Sequence, residues 1–406
     1  MTIVKKVETA LIGFGPANLG LLVAMIRRGN LKEMARGGLI VVEASRRLGA
    51  GAFSDYKITA NSLASVFLEC VEDPKLANVF EAVTDHPVIR KFRSSQDTAP
   101  LLPDVAAVLE AIAKTVLSYV AREVNLTVLT GSHATSWERT NTGHAFTVKA
   151  PEHNITVQAQ SAFVNCGGQG LPLEDTRIKT IAPIVLHGDA ILKMEPSHLA
   201  EVCGKGTVAI IGGSHSGISC AQRLSAATNV QAIEIFSRSP LKLFYSSTKE
   251  AALDAYDYDP IVDVCPLSGR INRFGGLRYD AHIAAKEISR AGRISSEGSP
   301  VSFSSSLDPV ATANAKAPFA VAVIATGYQS AGPCGASLQT QCDGRVRDIT
   351  GKPIPNLYSF GLGSGLKPSE RIGGEKSYSG RLDGYWLYQY DVGDEVLDAY
   401  FEDQQQ

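Results

Sequence analysis

Two short runs of small residues sit where an apolar strand gives way to a helix. Gly13-Phe14-Gly15-Pro16-Ala17-Asn18 follows Val7 to Ile12, and Gly212-Gly213-Ser214-His215-Ser216-Gly217 follows Thr207 to Ile211. Glycine in such a turn lets the backbone approach a pyrophosphate, whose charge then sits on the helix N-terminus. The first run departs from G-x-G-x-x-G by carrying Asn18 at the third glycine position. One such turn alone could be a mere tight connection. Two of them, each with a strand before and a helix plus strand after, point to two nucleotide-binding units. The candidate phosphate-gripping residues are therefore Gly13, Gly15, Pro16 and Asn18 in the first, and Gly212, Gly213, Ser214 and Ser216 in the second.

The residues that end the second strand of each unit differ in charge. Glu43, after Leu39 to Val42, can accept hydrogen bonds from ribose hydroxyls and repels a 2′-phosphate. Arg238, between Ser237 and Ser239, offers a guanidinium fork and two hydroxyls, which suits a 2′-phosphate. The first unit thus fits FAD or NAD, and the second fits NADP(H).

Other chemistry is weaker. Gly213-Ser-His-Ser-Gly217 misplaces its serines for a hydrolase elbow. Asp254, Asp257 and Asp259 have no partner histidine and read as solvated carboxylates rather than a metal site. His187 and His215 read as loop or core histidines. The seven cysteines form no C-x-x-C pair, which weakens dithiol and cysteine–zinc readings, and their odd number and irregular spacing argue against a disulfide framework.

The elements that must hold these turns are legible. Leu19 to Arg28 reads as the first helix, with Pro16 at its start and Gly29 at its stop. A long amphipathic helix is expected over 101–123. Short alternating runs over 126–165 predict a β-meander. Ile218 to Ala227 predicts the second unit's helix and Ala232 to Phe236 its next strand. The Ser-, Gly- and Ala-rich stretch 292–317 predicts a surface excursion, Phe319 to Ile324 a buried strand, 351–366 turns, and Trp386 to Tyr400 a helix.

Composition sets the frame. The chain has 406 residues, enough for two or three domains, and 44% hydrophobic with 20% charged residues is ordinary globular usage. A net charge of -2 gives no bulk attraction for nucleic acid or anionic lipid, so neither partner is expected. The opening residues lack signal-peptide shape, and the apolar stretch 10–26 is short and glycine-bearing, so no membrane span and a cytoplasmic location are expected. Self-association is compatible with this composition.

These motifs resemble the two-dinucleotide-binding flavoproteins, and within them the class B flavin-dependent monooxygenases. Gly13 to Leu19 is similar to the FAD turn of the N-hydroxylating ornithine and lysine monooxygenases. Thr59-Ala-Asn61-Ser62 is similar to the T-x-N-S segment of flavin-containing monooxygenases, and Ala325-Thr326-Gly327-Tyr328 matches their late A-T-G-Y motif. Phe163 to Gly168 sits where an earlier crossing between domains is expected. Ile181-x-Pro183-x-x-x-His187 keeps only the histidine of the family's F-x-G-x-x-x-H.

The resemblance implies an α/β fold with two Rossmann-like domains, the NADPH domain (169–328) inserted in the FAD domain (1–168 and 329–406). It implies that Asn61 lies beside the flavin and that Ala325, Thr326 and Gly327 lie at a cofactor-contacting crossing. Gly363, in the turn-rich stretch, joins the candidate cofactor-binding residues. The implied reaction takes FAD, NADPH, O2 and a small-molecule substrate, and oxygenates an amine nitrogen or a sulfur through a flavin (hydro)peroxide. Two readings compete on the same fold: an NADPH-dependent flavin reductase or oxidase, and a non-catalytic flavin-holding protein.

Overall fold

The computed structural model describes residues 3–171, 175–227, 229–333, 339–382 and 384–405, with side chains at all of these but 339 and 386. Cys334 lies outside the described residues. Apolar runs with no polar face drive two sheets whose central strands are parallel and covered on both sides.

The first sheet runs Gln339–Thr340, Arg345–Arg347, Pro353–Tyr358, Asn154–Val164, Ile3–Ile12, Leu39–Val42, Leu126–Leu129. The strands His133–Thr140 and Gly143–Lys149 hang antiparallel on Asn154–Val164 as expected of a meander, but Leu126–Leu129, expected to belong to it, instead pairs parallel with Leu39–Val42 at the far edge of the sheet. The alternating runs at 155–157 and 162–164 are one continuous strand. His133–Thr140, carrying charged and exposed residues, was not legible as a strand because pairing rather than burial holds it.

The second sheet runs Val301–Ser305, Ala232–Ser237, Thr207–Ile211, Val321–Ile324, Ile184–His187, all parallel. Here the expected excursion over 292–317 is corrected. Val301–Ser305 is the edge strand and Pro309–Lys316 a helix. Ser302 and Ser305 are exposed on this edge strand, so composition concealed a strand that main-chain bonds supply. Gly168–Gly170 and Tyr328–Ser330 pair antiparallel where the chain leaves and re-enters the first sheet.

Two main cores follow. The helix Leu102–Glu123 buries Val105, Val108, Leu109, Ile112, Val116 and Val120 in the first, which the helix Pro16–Arg27 and the C-terminal helices complete. Truncating a fully buried leucine such as Leu109 costs about 2–5 kcal/mol. The single helix expected from Trp386 to Tyr400 is instead two, Tyr385–Gln389 and Asp391–Gln404, broken at Tyr390. The break lets the shorter helix close on Pro16–Arg27 at Gly20, where a Cβ would stand 2.6 Å from the Tyr388 Cβ. The second core lies between Thr207–Ile211 and the helices His215–Ala227 and Tyr279–Ala291. Among the described residues no helix is long and apolar enough to cross a membrane.

Candidate functional site

Both glycine turns lie where the strand order reverses, the position at which an open parallel sheet leaves a crevice beyond its strand ends. Ile3–Ile12 sits between Leu39–Val42 and Asn154–Val164, and Thr207–Ile211 between Ala232–Ser237 and Val321–Ile324. The local geometry repeats closely. Gly13 N donates to Val42 O at 2.8 Å, and Gly212 N donates to Phe236 O at 2.8 Å. Asn165 N donates to Ile12 O at 2.8 Å, and Ala325 N donates to Ile211 O at 2.8 Å. Gly13 and Gly212 both have positive φ, 80° and 125°, and a Cβ on either would stand 2.3 Å from a carbonyl oxygen, that of Asn165 or of Ala325. Any other residue is excluded there by backbone rather than by a side chain that could move.

The third fingerprint position separates the two units. In the second, Gly217 packs so close that a Cβ would lie 1.9 Å from Gly212 O. In the first, Asn18 stands there, and its Nδ2 donates to the equivalent carbonyl, Gly13 O, at 2.6 Å. Asn18 Oδ1 in turn accepts from Asn165 Nδ2 at 2.8 Å. Asn165 Oδ1 accepts the backbone N–H groups of Phe360 and Gly361, both at 2.9 Å. The protein consumes the Asn18 amide, which is fully buried. Sequence reasoning passed over Asn165. Its position inside Phe163-Val-Asn-Cys-Gly-Gly168 was the available signal.

The first turn fits a dinucleotide. Pro16 begins the helix, and Gly15 caps it with no side chain, so the helix N-terminus has no competing oxygen from its own cap residue. Gly15 faces Gly51 across bare backbone, its Cβ position 3.5 Å from Gly51 Cα. Glu43, directly after Val42, accepts from Phe14 N at 2.5 Å and Ser45 N at 2.8 Å, which holds its carboxylate at the turn. In the second unit Gly213 packs on Ser237, and Arg238 is exposed, with no hydrogen-bond or ion-pair partner among the described residues.

Below the second turn, His187, Asp189, Ser216, Ala325, Gly327 and Tyr328 line a cleft. Tyr56 reaches it from the first unit and donates to Asp189 Oδ1. Lys193 Nζ lies 2.9 Å from Asp189 and 4.7 Å over the Tyr56 ring. Burial, reinforced by Asp189, pushes both the Tyr56 and Tyr328 phenols above their ordinary range, so both stay protonated donors. Thr326 is exposed beside this cleft, and Gly363, at φ 86°, abuts Gln329 O so tightly that a Cβ would lie at 2.5 Å. His215 Nε2 accepts from Arg278 N at 3.1 Å. Burial, with the Arg278 charge, lowers its pKa to about 4.

Asn61 is exposed, and its side chain has no hydrogen-bond partner among the described residues. Its segment is a strap between the two cores. Tyr56 and Ile58 pack on the second core, and Lys57 N donates to Leu192 O at 2.9 Å. Arg223 Nη1 donates to Lys57 O at 2.9 Å, and Thr59 Oγ1 to Asp280 Oδ2 at 2.7 Å. Ala60 N donates back to Pro100 O at 2.7 Å, on the first unit's side. The structure brings Asn61 onto a bridge between the units. It does not bring Asn61 into the cleft lined by Ser216 and Tyr328.

A doubled Rossmann turn joined by antiparallel crossing strands defines the class of two-dinucleotide-domain flavoenzymes. No family model matches the chain. It is 31% identical, over 432 aligned positions, to the CMP-5'-(3-aminopropyl)phosphonate hydroxylase of Streptomyces rubellomurinus, covering 96% of both chains. Solved structures with the same fold include the ornithine N-hydroxylase of Kutzneria sp. 744, with reduced FAD, NADP+ and L-ornithine. That match has 15% identity, covers 98% of this chain and 100% of the other, and has a TM-score of 0.54. The FAD-bound cadaverine monooxygenase of Erwinia amylovora matches with 12% identity, coverage of 98% and 95%, and a TM-score of 0.59. The chain belongs to the class B flavin-dependent monooxygenases, a family of oxidoreductase enzymes.

Proposed function

We propose that this protein is an NADPH-dependent N-hydroxylase of a primary amine carried on an anionic phosphonate, the substrate chemistry named for its 31%-identical relative. The balanced reaction is R–NH2 + O2 + NADPH + H+ giving R–NH–OH + NADP+ + H2O. The observation that carries the cofactor reading is the pair of equivalent turns whose ribose positions have opposite charge, Glu43 in one and Arg238 in the other.

FAD, when bound, supplies the redox chemistry with NADPH and O2. The protein's part is to bind, orient and exclude water. Gly13, Gly15 and Pro16 hold the FAD pyrophosphate at a helix N-terminus, and Glu43 accepts from the adenosine ribose. Gly212, Gly213, Ser214 and Ser216 hold the NADPH pyrophosphate, and Arg238 pairs with the 2′-phosphate. Ala325, Thr326, Gly327 and Gly363 let the chain cross close to both cofactors. Asn61 presents its amide from the strap to the reacting centre. The domain boundaries used here, at 168/169 and 328/329, are supported by the paired strands Gly168–Gly170 and Tyr328–Ser330.

The test has two readings. The flavin released from the purified protein should be FAD by mass spectrometry. NADPH, O2 and CMP-5'-(3-aminopropyl)phosphonate should then give a hydroxylamine. FAD with all electrons returned as H2O2 would favour the oxidase or reductase reading. Bound FAD that NADPH does not reduce would favour a non-catalytic flavin protein.

A further inference from the structure

One side of the cleft under the second glycine turn is made by the start of the short helix Gly188–Lys193, and that helix has little freedom. A Cβ at Gly188 would stand 3.2 Å from the Ala325 Cβ. Arg223, on the helix that begins at the turn, donates to Ile191 O at 3.0 Å and to Met194 O. Asp189 therefore holds a fixed place in the cleft wall. Lys193 Nζ, one turn on, pairs with its Oδ2 at 2.9 Å, and its Oδ1 accepts from the Tyr56 hydroxyl.

The strap that carries Tyr56 is bonded to both units. On the first unit's side, Ala60 N donates to Pro100 O at 2.7 Å and Leu102 N to Ile58 O at 2.9 Å. On the second, Lys57 is gripped through both backbone groups, its N–H by Leu192 O and its carbonyl by Arg223 Nη1, each at 2.9 Å. Two side-chain bonds to carboxylates flank that grip, Tyr56 to Asp189 and Thr59 to Asp280, and bonds to charged groups outweigh neutral ones. The Thr59–Asp280 bond is exposed and competes with water. The Tyr56–Asp189 bond is half-buried, with the Lys193 ammonium 4.7 Å over the ring, so it is the stronger of the two and the one made at the cleft itself.

We propose that Tyr56 and Asp189 are positioning residues whose bond fixes the strap, and with it Asn61, against the nucleotide cleft, so that oxygen transfer stays coupled to NADPH oxidation. Asn61 follows Tyr56 by five positions on the same strap. The inference rests on the reading above, in which Asn61 acts at the reacting centre, and adds the contact that places it. When coupling fails the same electrons leave by another route, NADPH + H+ + O2 giving NADP+ + H2O2.

Tyr56→Phe removes one hydroxyl and keeps the ring under Lys193. In the FAD-loaded protein, hydrogen exchange resolved to single amides should show Lys57, whose acceptor lies in the second unit, exchanging about tenfold faster, and Ala60, bonded within the first, unchanged. With NADPH and CMP-5'-(3-aminopropyl)phosphonate, H2O2 released per NADPH should rise several-fold, and any fall in the limiting rate of flavin reduction should be the smaller effect. Asp189→Asn, which keeps an acceptor for the hydroxyl, should do less damage than Asp189→Ala. Tyr56→Phe placed on Asn61→Ser should add less H2O2 than it does alone, because both changes act through one amide. Unchanged Lys57 exchange, an unchanged H2O2 yield, equal falls in flavin reduction and coupling, or full additivity with Asn61→Ser would overturn the proposal. A wild type that returns all its electrons as H2O2 would sink the oxygenase reading instead. Lys57 exchange in Tyr56→Phe would then decide by itself whether the pair holds the strap.

Discussion

Asn165 donates its amide to Asn18 at 2.8 Å and accepts two backbone N–H groups from Phe360 and Gly361. One buried side chain thereby ties the first glycine turn to the end of the strand Asn154–Val164 and to the returning C-terminal segment. The pair fills the space that the third glycine of the ordinary fingerprint leaves open for close helix packing, as Gly217 does in the second unit.

Asn165→Ala should therefore be costly. It strands two buried donors and half of the Asn18 amide, each worth about 1–3 kcal/mol. We expect a fall of several degrees in Tm and a lower flavin content after purification. Thermal melts with absorbance of released flavin measure both. Wild-type values for each would show that water replaces the Asn165 side chain at no cost.

Arg238→Ala should raise the apparent constant for NADPH about tenfold or more and leave that for NADH nearly unchanged, because one charge-assisted pair is worth roughly 1.5–3 kcal/mol. Steady-state kinetics with both nucleotides decides it. Equal losses would make Arg238 a structural residue.

If Asn61 faces the reacting centre as proposed, Asn61→Asp keeps size and replaces an amide donor with a negative charge where negative charge develops during oxygen transfer. FAD reduction by NADPH should stay near normal, while H2O2 released per NADPH rises and hydroxylamine falls. Asn61→Ser should show the same trend more weakly. Unchanged coupling in both variants would return Asn61 to the role of a turn residue.

His215 is held neutral by burial, its pKa depressed to about 4 with Arg278 N donating to its Nε2. A folded pKa below the unfolded value means that the unfolded chain binds the extra proton first. The stability is present above about pH 6.5 and is lost as pH falls toward about 4, in total about 3 kcal/mol. His215→Asn should keep an acceptor without the titration. Its Tm should fall less steeply than the wild type's over that window, and parallel curves would contradict the assignment.

The two turns and their strands were legible because buried parallel strands are apolar throughout and the glycines between them are required by backbone contact. Glu43 and Arg238 were legible from their position one and two residues past the strand end that each turn bonds. The edge strand Val301–Ser305 and the outer strand His133–Thr140 were not, since main-chain pairing sustains them with little help from side-chain pattern. Asn165, Tyr56 and Arg278 were not either. Their importance comes from partners far along the chain, at Asn18, Asp189 and His215, which no local spacing reveals.

The central claim is that this chain delivers one atom of O2 to an amine nitrogen. The most direct measurement is mass spectrometry of the product formed from CMP-5'-(3-aminopropyl)phosphonate by the FAD-loaded protein with NADPH under oxygen-18 gas. The account predicts a hydroxylamine carrying the heavy isotope, with little H2O2 beside it. Unlabelled amine recovered intact, with all NADPH electrons found as H2O2, would contradict it.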